Sequence, residues 1–93
     1  MRVKYSKKKN ILVYGAGEAG RQLVASLENN PEFKVIGFLD DNYKLQNQVL
    51  LDQTIYSLAD LEKLLIIKEV NIVFLAMPSI ARNKRNQIIK KLN

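Results

Sequence analysis

The sequence has no cysteine and no histidine. Their absence removes disulfide staples, thiol nucleophiles, most zinc sites and every histidine-based triad, and it fits a reducing cytoplasm. Without histidine, the formal charge of +6 is nearly constant from about pH 5 to about pH 8. No apolar run reaches the roughly 18 residues that a membrane span requires, and no signal-peptide pattern opens the chain. No acid–base pair, nucleophile or metal-ligand cluster stands at a recognisable spacing. Tyr43, Tyr56 and the lysines are scattered. Any chemistry must therefore come from a cofactor or from another polypeptide segment.

What is present describes one small globular domain. The chain has 93 residues, 47% of them apolar, and a chain of that size buries about 60–65% of its unfolded surface. Its basic residues gather at the two ends. Arg2, Lys4, Lys7, Lys8 and Lys9 precede the first apolar run, and Arg82, Lys84, Arg85, Lys90 and Lys91 close the sequence. Clustered Lys and Arg supply affinity for nucleic-acid phosphates. Here they lack interleaved aromatics, a helix-turn-helix or an RNP-like pattern. They read as a solvated tail and a basic helix face, with no nucleic-acid partner.

The chain is organised around Ile11–Gly20, ILVYGAGEAG. An apolar strand runs into Gly15-Ala16-Gly17-Glu18-Ala19-Gly20, which is G-x-G-x-x-G, and a helical pattern begins at once with Arg21. Gly15 permits a tight turn, Gly17 lets a pyrophosphate approach the backbone, and Gly20 lets the helix pack closely on the strand. The helix N-terminus then offers unpaired N–H groups to phosphate. Asp40 stands twenty positions after the last glycine, the spacing of a ribose-binding carboxylate. Arg21 is equally readable as a pyrophosphate contact or as an exposed helix residue.

In chain order, Met1–Lys9 is a basic leader, and the first strand spans Asn10–Tyr14. A helix with Ala19, Leu23, Val24 and Leu27 on its buried stripe runs from Glu18 to about Asn29, where Pro31 stops it. Lys34–Leu39 is the second strand. Val49–Leu51 and Thr54–Tyr56 fit a small hairpin turning at Asp52-Gln53, its second arm being strand three. Ser57-Leu58-Ala59-Asp60 has capping-box spacing and predicts a helix through Leu61, Leu64 and Leu65 to about Lys68. Val70–Met77 is strand four, and Ser79 caps a last helix. The fold class is α/β: a Rossmann-like, doubly wound parallel sheet in the order 3-2-1-4. The domain spans residues 10–93 and reads as the front part of a larger unit. Strand four lies at the sheet edge, and an apolar edge predicts self-association into a homo-oligomer.

Asp40, at the end of strand two, is placed to accept both ribose hydroxyls of an adenosine and to repel a 2′-phosphate. NAD is therefore favoured over NADP. Asp41 is the alternative ribose ligand, and a plain polar turn is the other reading of the pair. Ala76, Met77, Pro78 and Ser79 stand at the carboxyl end of strand four, one wall of the crevice at the topological switch point. Packing and helix capping account for them equally well. Arg82 and Arg85 could meet a second phosphate or simply face water.

As a set, ILVYGAGEAGRQL, VIGFLDDN, SLADLEKL and VFLAMPSIARNKRNQII resemble the cytoplasmic nucleotide-binding domain of bacterial polysaccharide-biosynthesis nucleotide-sugar dehydratases and epimerases. Stand-alone relatives of that domain are labelled UDP-D-quinovosamine 4-dehydrogenase. The resemblance covers Asn10–Leu92. It implies that Gly15, Ala16, Gly17, Glu18, Ala19 and Gly20 form the nucleotide loop and that Asp40 or Asp41 holds the ribose. It also implies that Pro78, Ser79, Arg82 and Arg85 line the opposite wall. Full-length members place this domain between membrane helices and a short-chain-dehydrogenase domain, so the basic leader corresponds to the cytoplasmic side of a membrane anchor. Leu45–Tyr56 contains neither glycine nor proline, a departure from the family on the adenine side. The implied system is a UDP-sugar 4-dehydrogenase or 4,6-dehydratase using NAD. A ligand-sensing module for NAD(H), coenzyme A or a nucleotide sugar, or a scaffold used only for association, are the other readings.

Overall fold

The computed structural model describes residues 8–76 and 89–91. The leader before Lys8 and the residues 77–88, which contain Met77, Pro78, Ser79, Arg82 and Arg85, lie outside the described residues.

The elements run β1 (Lys9–Tyr14), α1 (Glu18–Leu27), β2 (Phe33–Leu39), β3 (Val49–Leu50), β4 (Gln53–Tyr56), α2 (Leu61–Ile67) and β5 (Ile72–Leu75). They form one five-stranded sheet in the order β3-β4-β2-β1-β5. β4, β2, β1 and β5 are parallel neighbours, and β3 pairs antiparallel with β4. The parallel part keeps the expected 3-2-1-4 order, and the hairpin arm β3 extends it by one short strand.

Why β1 is central follows from its residues. Ile11, Leu12, Val13 and Tyr14 are all fully buried, as a parallel strand covered on both faces must be. Ile11 and Val13 join Val24 of α1, Phe38 and Ile55 on one face. Leu12 and Tyr14 join Leu39 and the α2 residues Leu61 and Leu64 on the other. The two helices thus cover opposite faces, and the sheet is doubly wound. From β1 the chain steps outward through β2 and β4; α2 then crosses back to put β5 on the other flank of β1, creating the switch point between β1 and β5.

One irregularity in β2 reaches the site. Ile11 pairs with Val35 but Leu12 pairs with Gly37, so Ile36 is skipped. This bulge reverses the alternation of the strand. Val35 and Phe38, of opposite parity, therefore both face the α1 side, while Ile36 and Leu39 face α2. At Gly37 a Cβ would fall 2.7 Å from the Tyr56 ring and 3.2 Å from the Thr54 carbonyl oxygen, which is why glycine stands there.

Apart from shifts of one or two residues at the ends of β1, α1 and β2, boundaries differ from expectation in three places. The hairpin turns at Leu51-Asp52 (φ 51° and 63°), one residue earlier than predicted, because a two-residue turn needs positive φ at both central positions and only Asp52 carries a residue type that signals it. Ser57 and Asp60 do bond each other, Oγ to Oδ2 at 3.0 Å, but they open a 3-10 turn over Leu58–Asp60 that precedes α2. β5 is shorter than the apolar run, since Val70 packs against the core from outside any strand. Residues 89–91 are helical, and Lys91 Nζ lies 3.4 Å from Glu62 Oε1, placing that turn beside α2.

Candidate functional site

The carboxyl ends of β1 and β2 carry the residues that the glycine spacing pointed to. As the chain leaves β1, the Gly15 N–H donates to the Leu39 carbonyl at 2.7 Å, and Gly15 itself has φ 114°, a conformation L-residues with a side chain rarely adopt. The Ala16 N–H then donates to Asp40 Oδ2 at 2.8 Å. α1 starts directly after Gly17, and the first helical bond runs from Arg21 N–H to the Gly17 carbonyl at 3.0 Å. Gly20 sits one turn in and is buried. A Cβ on it would fall 1.7 Å from the Gly15 carbonyl oxygen, so the helix rides directly on the turn.

Gly17 is different. It is exposed, and a Cβ built on it would meet nothing within 4 Å. As N-cap residue it supplies no side-chain acceptor to the first-turn amides. Open space over a glycine, together with uncapped N–H groups at a helix start, fits a phosphate. Around it stand Glu18, which is exposed and takes the Gln22 side-chain amide at 3.4 Å, half-buried Ala19 and exposed Arg21.

Asp40 is the buried member of the acidic pair, 9% exposed. Its Oδ1 accepts the Asn42 N–H at 2.8 Å, its N–H donates to the Tyr56 carbonyl at 3.0 Å, and its carbonyl accepts Gln46 Nε2 at 3.0 Å. Asp41, the next residue, is exposed. Sequence reasoning missed Tyr14, which is fully buried on the α2 face. Its Oη makes no hydrogen bond of full geometry. Burial, then Asp41 as a looser hydrogen-bonding and charged neighbour, then Asp40's charge, push its ionisation well above the usual phenol range. A tyrosine at the end of an apolar run looks like core from sequence, and no spacing rule would have found it.

The structure thus brings Gly15, Ala16, Gly17, Gly20 and Asp40 together, with Glu18, Ala19 and Arg21 on the first turn of α1 and Asp41 just beyond β2. Met77, Pro78, Ser79 and Arg82 lie outside the described residues. Among the described residues there is no His/Cys/Asp/Glu group able to hold a metal, and no helix is long and apolar enough to cross a membrane. A cleft of about 390 Å³ lies between the end of α1, the start of β2 and the hairpin tip, lined by Val24, Leu27, Phe33 and Leu51 among others. It opens at the amino-terminal end of β2, away from the glycine turn. Ligands of open α/β sheets bind at the carboxyl ends, so the turn, not the cleft, is the candidate site.

A family model described as C2185-like, N-terminal matches residues 7–92. No curated protein matches the chain. Among solved structures, UDP-D-quinovosamine 4-dehydrogenase from Vibrio fischeri superposes with a TM-score of 0.84 at 38% identity, over 92% of this chain and 70% of that one. RSP, a Rex-family repressor, superposes at 0.79 with 20% identity, over 92% of this chain. RSP in complex with β-NADH gives 0.78 at 19% identity, over 91% of this chain. The chain spans 40% of the repressor's length, and at that identity the likeness is one of fold. These neighbours agree with the Rossmann-like sheet.

Proposed function

The chain belongs to the C2185-like, N-terminal family, and we propose that it is a nucleotide-binding domain of NAD(H) type, serving a nucleotide-sugar oxidoreductase or dehydratase system in bacterial surface-polysaccharide synthesis. The observation that carries this reading is the Gly15–Gly20 turn: tight at Gly15, locked to α1 at Gly20, and open at Gly17. The likeness to the Vibrio fischeri dehydrogenase supports the sugar-nucleotide side of it, a UDP-sugar 4-dehydrogenase or 4,6-dehydratase.

In this reading the pyrophosphate meets the Gly17 backbone and the first-turn amides of α1, with exposed Arg21 as counter-charge. The acidic end of β2, Asp40 with Asp41, faces the adenosine ribose and repels a 2′-phosphate, favouring NAD over NADP. Met77, Pro78 and Ser79 are assigned to the opposite wall from their place after the last apolar run, and Pro78, Ser79, Arg82 and Arg85 from the resemblance. A bound NAD would supply hydride transfer, while this chain's own residues bind and orient it. The domain works in the cytoplasm, at the inner face of the membrane in membrane-anchored parents, and as a homo-oligomer.

A second reading has a specific support. A repressor with this fold has been crystallised with β-NADH, which supports reading this chain as a sensing module for NAD(H), coenzyme A or a nucleotide sugar. Calorimetric titration with NAD+, NADP+, coenzyme A and a UDP-sugar identifies the ligand on either reading. The expected result is NAD+ binding about tenfold or more tighter than NADP+, a difference of about 1.4 kcal/mol. Tighter NADP+ binding, or binding of coenzyme A alone, would overturn the NAD assignment.

A further inference from the structure

The Asp40 carboxylate already has partners within the chain before it meets any ribose. Both its oxygens already accept backbone N–H groups, Ala16 on Oδ2 and Asn42 on Oδ1, each at 2.8 Å. The residue is 9% exposed, and burying a carboxylate is costly unless its oxygens are satisfied in this way. Its backbone is tied as well, to Tyr56 of β4 and to the Gln46 side chain. The Ala16 amide that it holds lies between Gly15 at φ 114° and the open Gly17. Neither Ala16 nor Gly17 has a side chain able to fix that backbone itself.

We propose that Asp40 is a positioning residue for the phosphate loop: its carboxylate, anchored on Asn42, holds the Ala16 amide and sets the Gly15–Gly17 backbone before any ligand arrives. The ligand in this proposal rests on the nucleotide-binding reading; the holding of the loop does not. The sign of one effect separates this role from ribose binding. Replacing Asp40 by Asn removes a negative charge, and Coulomb attraction alone then strengthens the binding of any anion nearby. A loop that has lost its anchor binds the anion more weakly.

The test uses the full chain, Asp40→Asn and Asp40→Ala, amide exchange by NMR, and titration with inorganic pyrophosphate, which has no ribose, alongside NAD+. The expected result is exchange at Ala16 about tenfold faster in Asp40→Ala and less so in Asp40→Asn, which keeps one acceptor oxygen. Exchange at Val13 in β1 stays near wild type, showing that the loop and not the fold has loosened. Pyrophosphate affinity falls about fivefold in Asp40→Asn, in step with NAD+. Unchanged Ala16 exchange overturns the proposal, as does pyrophosphate binding that holds or tightens while NAD+ weakens. A wild type that takes up neither ligand defeats the nucleotide reading, and Ala16 exchange still decides the loop. Should both variants fail to fold, the wild type gives the answer: the Ala16 amide, held by Asp40 Oδ2, exchanges well below the rate of an unstructured amide in the absence of any ligand, and exchange at the unstructured rate overturns the proposal.

Discussion

Replacing Gly20 by alanine is the sharpest perturbation of this fold. The new Cβ falls 1.7 Å from the Gly15 carbonyl oxygen, 2.8 Å from its carbon and 3.6 Å from Phe38 Cε1. The first two obstacles are backbone atoms and cannot swing aside. Restoring ordinary contact requires the start of α1 to retreat by roughly 1.5 Å, which pulls buried Val24 and half-buried Leu23 and Leu27 off the α1-side core. Overpacking costs about 1–3 kcal/mol and sometimes more, and a backbone obstacle belongs at the top of that range. Alanine's better helix propensity returns about 1 kcal/mol. The net loss is about 2–3 kcal/mol, against a total of roughly 5–14 kcal/mol for a chain of this length. Thermal melting followed by circular dichroism should fall by roughly 10–20 °C. Gly17→Ala, the same chemical change three residues earlier, is the control. With φ −80° and nothing within 4 Å of its Cβ, it should stay within about 1 kcal/mol of wild type yet weaken dinucleotide binding. A Gly20→Ala protein melting within a few degrees of wild type would refute the close-packing argument. A Gly17→Ala protein that binds unchanged would move the phosphate elsewhere.

Two further outcomes can be measured. Tyr14→Phe removes only a buried hydroxyl that lacks a full hydrogen bond, so stability near neutrality should be unchanged or up by about 1 kcal/mol; a loss above about 2 kcal/mol would reveal a strong bond at Oη. Because the folded phenol ionises above its ordinary value of 10.0, its neutral-form contribution is complete below about pH 10 and is lost as pH rises from there. Urea melts from about pH 9 to 12 should show that decline in wild type and a shallower one in the variant. Among the described residues β5 is a sheet edge, and self-association through it is expected in sedimentation velocity at rising concentration. Val73 and Phe74 pack against the core, so Leu75, 37% exposed, is the cleaner probe. Leu75→Lys should shift the protein toward monomer, and a wild type monomeric at high concentration would exclude this association.

The glycine spacing, the apolar run Ile11–Tyr14 and the stripe Ala19–Leu23–Val24–Leu27 were enough to place β1, the turn, α1 and β2, because each rests on local periodicity and backbone sterics. The strand order followed from them, since parallel crossovers leave few alternatives. The sequence could also single out Asp40, as a ribose ligand beside the glycine turn, because its distance along the chain is one unit of strand, helix and strand. It could not say what the carboxylate grips. Its partners are the N–H groups of Ala16 and Asn42, and a backbone amide looks the same in every residue but proline. Nor could it show the bulge at Ile36-Gly37, because a skipped residue is visible only when β2 is laid against β1. That bulge decides which face Val35, Phe38 and Leu39 occupy. The buried hydroxyl of Tyr14 was hidden for the same reason. Periodicity assigns a residue to the core, but whether its polar atom finds a partner depends on segments far apart in the chain, and only the tertiary packing brings those together.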